Sequence, residues 1–446
     1  MALPLAVTAT PAASTGPCAR VEVTSFGSLG CRAPGGWYFE AGGRWSFTHG
    51  GDIAPSDGAG AITRAKPNMP PCVSDPRREF HVQMLYVHAS DSPDQYHKRA
   101  SLVREMLLIA NGVLVNEAKR FKRTVEVRVA CKNDQPWIRN VKLPTAWDDT
   151  HAGTVFNDLI DAGFDSVLAK YWVWFDGHPP NVGELGIAQS YPYGQPNSPS
   201  HPANLGAMTA ITWGGTGAGG INTMLHEGGH TLGAVSITSP NSTGGAHCID
   251  GPDVMCYRDG GPRAEAYRAN ICARAHFDCN NDDYFHPKPG KKNYLYRNWN
   301  LASPMNRFLA GCTFGTGVLT VPGAGHDPEA LTNPLARDIV GATSLIAAHH
   351  AVPKKCRGLR FAVSAVVEPP AEVFQQAPNG VEPFLYQVMP ATLREPDVDV
   401  CWYAKAELLR CNSAGRYESG TVPKTATRAR VLLRAGTSAI YTFSIV

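Results

Sequence analysis

The chain has 446 residues, of which 43% are hydrophobic and 18% are charged, and its formal net charge at pH 7 is +3. This length leaves room for two or three domains with a large buried core. The charge is too close to balance to indicate a nucleic acid partner, and no apolar run is long enough for a membrane span. We therefore expect a globular monomer that binds neither nucleic acid nor a membrane.

The twelve cysteines indicate the compartment in which the protein works. Their number is even, no two form a Cys-x-x-Cys motif, and several stand close together in the chain. This spacing is typical of short-loop disulfides, which form in oxidising compartments. The close pairs are Cys18/Cys31, Cys248/Cys256, Cys272/Cys279 and Cys401/Cys411. We therefore predict a secreted protein, and we interpret residues 1–17 as a residual signal peptide or flexible segment.

Residues 18–75 are rich in Gly, Pro, Ser and aromatic residues and show little helical periodicity. Short strands fit this composition, and so does an irregular prosegment. A prosegment can block a metal site with a cysteine thiolate, and Cys72 lies in a suitable place for this role. The even cysteine count argues against a free thiol. The sequence leaves open whether the region is inhibitory.

Residues 76–310 alternate between strand and helix patterns. The strongest helix signal covers residues 96–120, where apolar residues such as Leu102, Met106 and Leu107 recur three or four apart. Strands are predicted over 80–88, 124–130, 167–175 and 183–193, and a second helix over 154–162. Strands separated by helices indicate an α/β layer.

His226, Glu227 and His230 form an H-E-x-x-H sequence on a helix predicted to begin near Ile221. Residues four apart share one face of a helix, so both imidazoles can bind one metal ion while Glu227 projects beside them. Zinc in a hydrolytic site takes three protein ligands and keeps one position for water. The motif therefore predicts a zinc hydrolase in which Glu227 is the general base.

The third zinc ligand does not follow from these five residues alone. In the longer pattern H-E-x-x-H-x-x-G-x-x-H, a left-handed glycine ends the helix and the chain returns to deliver a ligand. Gly233 matches that glycine, but Ser236 stands at the ligand position, and a hydroxyl is a poor zinc ligand beside two imidazoles. His247 is the main candidate, because a Gly-rich segment before it can extend the turn. The alternatives are Asp250, Asp253 and, in the manner of thermolysin-like enzymes, Glu265.

The stretch HEGGHTLGAV, followed by GAHCIDGPDVMCY, resembles the metzincin superfamily of zinc endopeptidases. It is more closely similar to a group of secreted bacterial metzincin-like metalloproteases. The resemblance spans roughly residues 80–309, and its specific part is 225–257. It implies a zincin-like fold in which Met255 belongs to a methionine turn beneath the metal. In that group, paired cysteines flank this turn, as Cys248 and Cys256 do here.

Tyr257 stands two residues after the methionine, where astacins and serralysins place a tyrosine that moves onto the metal or the oxyanion. The resemblance therefore implies that Tyr257 stabilises the tetrahedral intermediate. The alternative is that its ring only packs against its neighbours. Both interpretations remain open from the sequence.

Residues 278–284 gather several side-chain oxygens in the sequence DCNNDDY. A calcium site is one interpretation, although the segment lacks the spacing and the terminal Glu of an EF-hand. Capping of turns by Asp and Asn is the other interpretation, and the composition favours it. The sequence thus predicts Zn²⁺ as the main cofactor and Ca²⁺ as a secondary candidate.

Beyond residue 310 the pattern changes to short β-branched or aromatic segments separated by Pro and Gly. Such segments are typical of a β-sandwich. They cover 314–321, 359–367, 384–389, 400–409, 430–434 and 439–446, and residues 331–350 are compatible with one helix between strands.

The predicted fold is an α+β or α/β zincin-like catalytic domain, with a twisted mixed sheet, a long backing helix and an active-site helix, followed by an all-β sandwich-like domain. The predicted regions are 1–17, 18–75, 76–310 and 311–446. The predicted function is hydrolysis of peptide bonds in a protein or peptide substrate by a secreted zinc metalloendopeptidase. The alternative is a secreted binding or adhesion protein with the same fold and no catalytic activity.

Overall fold

The computed structural model of the chain covers the α/β region and parts of the strand-rich C-terminal region. The described residues are 17–18, 20–53, 59–77, 79–177, 183–191, 193–197, 201–311, 315–319, 346–352, 356–357, 360–367, 398–412, 417–433 and 439–445. The predicted signal segment before residue 17 and the predicted strand 384–389 lie outside these residues.

Up to residue 311, fifteen strands and four α-helices are described. The strands are β1 (Glu22–Val23), β2 (Leu29–Ala33), β3 (Gly36–Ala41), β4 (Arg44–Thr48), β5 (Gly51–Ile53), β6 (Cys72–Val73), β7 (His81–His88), β8 (Glu126–Val127), β9 (Val129–Lys132), β10 (Gln135–Pro136), β11 (Ile138–Lys142), β12 (Ala169–Phe175), β13 (Glu184–Ala188), β14 (Met208–Trp213) and β15 (Leu309–Ala310). The helices are α1 (Ala59–Arg64), α2 (Tyr96–Lys119), α3 (Ala152–Asp161) and α4 (Gly217–Thr231).

A mixed sheet lies at the centre of this region. Its main strand order is β10-β9-β7-β12-β14-β13-β5, with β11 paired to β7 and β6 paired to β9. The strands β7, β12 and β14 are mutually parallel, and all their residues are buried. Burial on both faces is expected for parallel strands covered by two layers.

The two faces of the sheet belong to two separate cores. Side chains alternate along a strand, so Trp174 of β12 enters one core and its neighbour Phe175 enters the other. Helices α2 and α4 cover the first face, where they also contact each other. The second face is covered by α3 and by the N-terminal sheet β1–β4, with the rings of Phe39 and Phe156 only 5.4 Å apart.

The predicted irregular region 18–75 is thus more regular than its composition indicated. Its strands β1 to β4 form an antiparallel sheet that buries aromatic residues against the body of the protein, and β5 joins the edge of the central sheet. Cys72 forms a disulfide with Cys131, so it has no free thiol to block a metal site. The proposed role of Cys72 in inhibition is therefore wrong.

The last two strands of the central sheet run against the parallel strands. Strand β13 is antiparallel to β14, and β5 is antiparallel to β13, with Ile187 opposite Gly51 and Gly186 opposite Asp52. The short strand β5 therefore occupies the edge of β13 that faces away from the body of the sheet.

The four short-loop disulfides predicted from cysteine spacing all form, which confirms that part of the sequence analysis. Helix α4 begins at Gly217, one turn before the predicted start near Ile221. Among the described helices, none combines the length and the apolar character that a membrane span requires.

After residue 311, two four-stranded antiparallel sheets are described. Their strands are β16 (Gly315–Leu319), β17 (Ile346–Ala351), β18 (Arg360–Val367), β19 (Val398–Ala404), β20 (Glu407–Asn412), β21 (Tyr417–Thr421), β22 (Arg428–Leu433) and β23 (Ala439–Ile445). The sheet orders are β16-β23-β18-β21 and β17-β22-β19-β20. The helix considered for residues 331–350 is not found in the described part, because residues 346–350 form β17 and pair with β22.

Candidate metal centre

The end of helix α4 is shaped by Gly233. This residue has φ +94°, in the left-handed region that a glycine enters without strain. The amide of Gly233 donates to the carbonyl of His230, and the amide of Ala234 donates to the carbonyl of Gly229. These two bonds form a Schellman motif, which turns the chain back over the last turn of the helix. The carbonyl of Ala234 then accepts a hydrogen bond from His230 Nδ1 at 2.8 Å.

The two glycines inside the motif allow α4 to pack closely on its supports. A Cβ atom at Gly228 would overlap the indole of Trp172 in β12, and one at Gly229 would lie 2.7 Å from Met255 Sδ. Met255 is fully buried in the same core. The small residues between the histidines therefore let the helix rest on the sheet on one side and on Met255 on another.

Three imidazoles converge at one point. His226 and His230 project from α4, and His247 enters from the following loop. Their Nε2 atoms are 3.1 Å apart between His226 and His230, and 3.2 Å apart in each pair that includes His247. All three side chains are buried. Zinc with nitrogen ligands at 2.0–2.1 Å in a tetrahedron places those nitrogens about 3.3 Å apart, so the set fits this metal.

The outer nitrogens of the three rings have partners that fix their orientation. His226 Nδ1 donates to the carbonyl of Val254 at 2.6 Å, and His247 Nδ1 contacts Asp259 Oδ2 at 2.7 Å. Together with the bond from His230 to Ala234, these contacts turn every Nε2 toward the common centre. Such second contacts are typical of metal-binding histidines. The segment with Met255 therefore packs against helix α4 at Gly229 and also orients His226 through the carbonyl of Val254.

Asp259 was missed by the sequence analysis. Its Oδ2 accepts a hydrogen bond from the hydroxyl of Thr243 at 2.7 Å as well as contacting His247. The signal in the sequence was weak, since Asp259 is one of several acidic residues after the methionine. Only its contact with His247 in the structure distinguishes Asp259 from those other acidic residues.

The other candidates for the third ligand are placed elsewhere. Ser236 hydrogen bonds with Thr238, and Asp253 accepts from the amide of Met255 and the hydroxyl of Tyr284. Asp250 groups with Asp282 and Asp283. Glu265 is 87% exposed and pairs with Arg258. Of the residues considered from the sequence, His247 alone joins His226 and His230.

A carboxylate from the N-terminal region also reaches the centre. Asp52 on β5 is fully buried, with Oδ2 3.1 Å from His226 Nε2 and 3.7 Å from His230 Nε2. Its Oδ1 is 3.2 Å from His247 Nε2. His49 lies beside it, with Nε2 3.4 Å from Asp52 Oδ2. Neither residue was predicted from the sequence, because no spacing rule connects Asp52 to His226, which lies 174 positions away.

The charges around the centre favour a cation in the middle. Burial opposes ionisation of Asp52, but the neighbouring histidines hold the pKa of its carboxyl well below the usual value. Burial also lowers the pKa of His230. For His247, burial is outweighed by the carboxylates of Asp52 and Asp259, which raise its pKa to about 9. The carboxylates thus stabilise positive charge on the ring that lies closest to both.

Glu227 and Tyr257 lie beside the three imidazoles. Both carboxylate oxygens of Glu227 are buried, and no N–H group or hydroxyl of the described residues donates to them. Burial, together with the charge of the neighbouring Asp52, a hydrogen bond with the Asp52 carboxylate and the charge of Glu184, raises the pKa of Glu227 well above its usual value. The Tyr257 ring lies 4.3 Å from that of His247, and its hydroxyl donates to Asp52 Oδ1.

The oxygen-rich segment 278–284 forms turns, in agreement with the capping interpretation. Asp278 Oδ2 accepts from the amide of Tyr284 at 2.9 Å and from the amide of Phe285. The segment also brings Asp282 and Asp283 close to Asp250, with one oxygen of each within 4.8 Å of the others. We call Asp250, Asp282 and Asp283 the acidic cluster.

Comparison with protein families and with curated proteins gave no match. Solved structures with some similarity include OgpA from Akkermansia muciniphila, at 11% identity and a TM-score of 0.25, covering 86% of this chain and 96% of that chain. A catalytically inactive OgpA in complex with an O-glycopeptide (glycodrosocin) substrate is 12% identical over the same shares, with a TM-score of 0.24.

A third structure contains accessory secretory proteins 1, 2 and 3 of Streptococcus pneumoniae. It is 12% identical, covers 23% of this chain and 70% of that chain, and has a TM-score of 0.15. Similarities at this level define neither the fold nor the chemistry of this chain. We therefore infer the function from the residues of this chain alone.

Proposed function

We propose that this protein is a secreted zinc-dependent metalloendopeptidase with a zincin-like catalytic domain, residues 76–310, followed by a sandwich-like domain, residues 311–446. The observation that supports the proposal best is the convergence of three imidazole Nε2 atoms beside a buried glutamate to which no N–H group or hydroxyl of the described residues donates. A structural zinc site has no need of such a carboxylate. The binding or adhesion alternative leaves Glu227 unexplained.

His226, His230 and His247 are the residues that would hold the zinc ion. Each presents Nε2 and has its Nδ1 engaged by a second group, which is the arrangement of imidazole ligands in hydrolytic zinc sites. When bound, zinc would lower the pKa of a water molecule and polarise the scissile carbonyl.

Glu227 is the proposed general base and then general acid. Its carboxylate accepts a proton from the attacking water while the water oxygen bonds to the carbonyl carbon. It then donates that proton to the amide nitrogen as the bond between carbon and nitrogen breaks. The raised pKa of the buried carboxyl suits a group that must hold a proton between the two steps.

Tyr257 is proposed to stabilise the negative charge on the carbonyl oxygen. Its ring lies beside that of His247 and its hydroxyl donates to Asp52 at the centre. Burial keeps the pKa of Tyr257 well above the usual value, so that the hydroxyl remains a hydrogen-bond donor. A preorganised donor of this kind lowers the energy of the tetrahedral intermediate.

The substrate is proposed to be an extended protein or peptide chain paired with β13. The edge of β13 carries main-chain groups that hydrogen bond an antiparallel strand, and this edge runs beside Glu227. Main-chain pairing recognises a polypeptide without selecting its side chains.

The test is zinc stoichiometry combined with cleavage of casein and gelatin. Four full-length proteins are needed, namely wild type and Asp52→Ala, each with and without Glu227→Ala. Asp52→Ala is included because the Asp52 carboxylate lies against the same three nitrogens. We expect one zinc ion in each protein and a loss of cleavage of about 10²–10⁴-fold on removal of Glu227.

Two results would overturn the proposal. One is bound zinc with no cleavage of either substrate by the two proteins that retain Glu227. The other is cleavage that persists unchanged in the Glu227→Ala proteins, which would refute the mechanism.

A further inference from the structure

We infer that β5 is a built-in inhibitory strand, which keeps the proposed protease latent by occupying its substrate edge and the open position at its metal centre. The inference rests on the proposed function. It deepens that function by assigning a regulatory role to residues 17–53.

The first observation is the place of the Asp52 carboxylate. Its two oxygens lie 3.1 to 3.7 Å from the Nε2 atoms of the three proposed ligands. Ligands that share a tetrahedral zinc ion lie about 3.3 Å apart, so the carboxylate stands where a fourth ligand would stand. A catalytic zinc site must leave that position for water or substrate. Asp52 therefore excludes both.

The second observation is the pairing of β5. It runs antiparallel to β13 over residues 51–53, on the edge where the substrate is proposed to bind. One polypeptide strand can use these main-chain groups at a time. The strand thus blocks the substrate backbone at the same time as its aspartate blocks the centre.

The third observation concerns how the strand is held. Tyr257 donates to Asp52 Oδ1 and His49 lies beside Oδ2, so the proposed oxyanion donor is itself engaged by the strand. Residues 1–53 contain only two cysteines, Cys18 and Cys31, which pair with each other. No disulfide therefore connects residues 1–53 to the remainder of the chain, so β5 is held in the cleft by non-covalent contacts alone.

The test compares full-length, zinc-loaded wild type with Asp52→Ala and Asp52→Asn. The matched control is Arg44→Gln, which removes a charge from the same N-terminal region where Arg44 contacts Asp165, away from the histidines. The dissociation constant of a peptide hydroxamate is measured because it does not depend on catalysis. This ligand binds only when both the open position at the metal and the edge of β13 are free. Casein cleavage is measured in parallel.

We expect both Asp52 variants to bind the hydroxamate at least about tenfold more tightly than wild type, because the fraction of open sites rises. Casein cleavage should increase by a similar factor, and Arg44→Gln should match wild type. Equal hydroxamate affinity in wild type and both Asp52 variants would overturn the inhibitory role while leaving the proposed function intact. Failure of every protein to bind zinc and hydroxamate would overturn the proposed function itself.

The acidic cluster carries a second, independent inference. We propose that Asp250, Asp282 and Asp283 bind a hard divalent cation, with Ca²⁺ as the fitting ion. One oxygen of each lies within 4.8 Å of the others. Asp283 is 1% exposed, its Oδ1 accepts from the amide of Asn241, and no N–H group or hydroxyl of the described residues donates to its Oδ2. Its side chain hydrogen bonds with the carboxyl of Asp250, whose pKa is raised to about 11 by burial and by the neighbouring aspartates. Burial of several carboxylates together is costly unless a proton or a cation neutralises them.

No basic side chain within the described residues supplies that neutralisation through an ion pair. The guanidinium of Arg263, which is the nearby base, donates to the carbonyl of Pro240. Ca²⁺ takes six to eight oxygen ligands, so carboxylates, backbone carbonyls and water can complete such a site. The ion would join the loop after His247 to the segment 278–284.

Calorimetric titration of the zinc-loaded full-length chain with CaCl₂ tests this site. We expect one saturable site in wild type and in the control Asp165→Asn, and binding at least about tenfold weaker in Asp282→Asn and Asp283→Asn. Asp282 is only partly buried, so its variant tests the site with little risk to folding. Absence of saturable binding in wild type, or equal affinity in both variants, would overturn the proposal.

Discussion

The histidine cluster, which consists of His226, His230 and His247, and the acidic cluster lie on either side of Cys248 in the chain. Their polar atoms are arranged in different ways. In the histidine cluster, each ring has an outer nitrogen bound by a separate group and an inner nitrogen turned to a common centre. In the acidic cluster, the amide of Asn241 donates to Asp283 Oδ1 and the side-chain amide of Asn241 contacts Asp250 and Asp282, while no N–H group or hydroxyl of the described residues donates to Asp283 Oδ2.

This difference separates a site built for chemistry from one built to join loops. The histidines come from a rigid helix and a disulfide-anchored loop, and their orientation is fixed before any ligand binds. The aspartates come from loop segments that already bring one oxygen of each within 4.8 Å of the others, and the proposed cation would neutralise their charges. Preorganised groups favour catalysis, because the protein needs no reorganisation energy during the reaction.

The largest effect is expected from removal of His247, the third proposed zinc ligand, which distinguishes the histidine cluster from the acidic cluster. His247→Ala should weaken zinc binding by more than about 100-fold, beyond the range found for residues that only orient a ligand. Asp250→Asn, a change in the acidic cluster, should leave zinc affinity unaltered. Both are measured by competition with a chromogenic chelator. Retention of zinc by His247→Ala, with loss in Asp250→Asn or Asp253→Asn, would reassign the third ligand.

The second prediction uses one tyrosine that lies beside each cluster. Tyr257 donates to Asp52 at the metal centre, and Tyr284 donates to Asp253 at 3.1 Å. In the Asp52→Ala background, Tyr257→Phe should lower kcat about 100-fold with little change in KM, as removal of an oxyanion donor does. Tyr284→Phe should leave kcat unchanged. Equal kcat values in both variants would mean that Tyr257 only packs.

The third prediction concerns the carboxylate behind His247. Asp259→Asn keeps the shape of the side chain but removes the charge that supports the ring, and it should weaken zinc binding by about 10–100-fold. Asp283→Asn, in the acidic cluster, is the matched control and should have no effect on zinc. Unchanged zinc affinity in Asp259→Asn would show that the contact with His247 is dispensable.

The smallest effect tests the turn that positions His230. A Cβ atom at Gly233 would meet Ala203 Cβ and Trp299 Nε1 at 2.7 Å in a left-handed conformation, so Gly233→Ala should reduce the free energy of unfolding by about 1–3 kcal/mol. Gly163 has φ +82° and open space around the position that a Cβ atom would take. Gly163→Ala therefore measures the loss of free energy of unfolding that comes from the left-handed backbone alone. Thermal denaturation measures both. An equal loss of free energy of unfolding in the two variants would show that close packing at Gly233 does not contribute.

The strands and helices of the α/β region were predicted well because their patterns are local. The buried strand β12 and the long helix α2 follow directly from apolar runs and from the spacing of residues such as Met106 and Leu107. Composition was misleading for the N-terminal region, where strands were interpreted as equally compatible with irregular chain. The helix considered for 331–350 was wrong in its described part, because pairing with β22 determines the conformation there.

The candidate site was predictable only as far as its motif extends. His226, Glu227 and His230 were found because a helix brings residues four apart onto one face, and that rule needs no tertiary information. His247 could be ranked above its alternatives but not separated from them. Its position depends on how the loop after Gly233 folds.

The sequence by itself indicated the chemistry proposed for the centre, since two imidazoles on one helical face with a carboxylate beside them suit zinc. Only the tertiary structure decided what surrounds them. Asp52 and Asp259 reach the histidines because β5 pairs with β13 and because the loop after Met255 folds back. Those contacts depend on sheet pairing and loop closure across long separations in the chain, and no local periodicity records them.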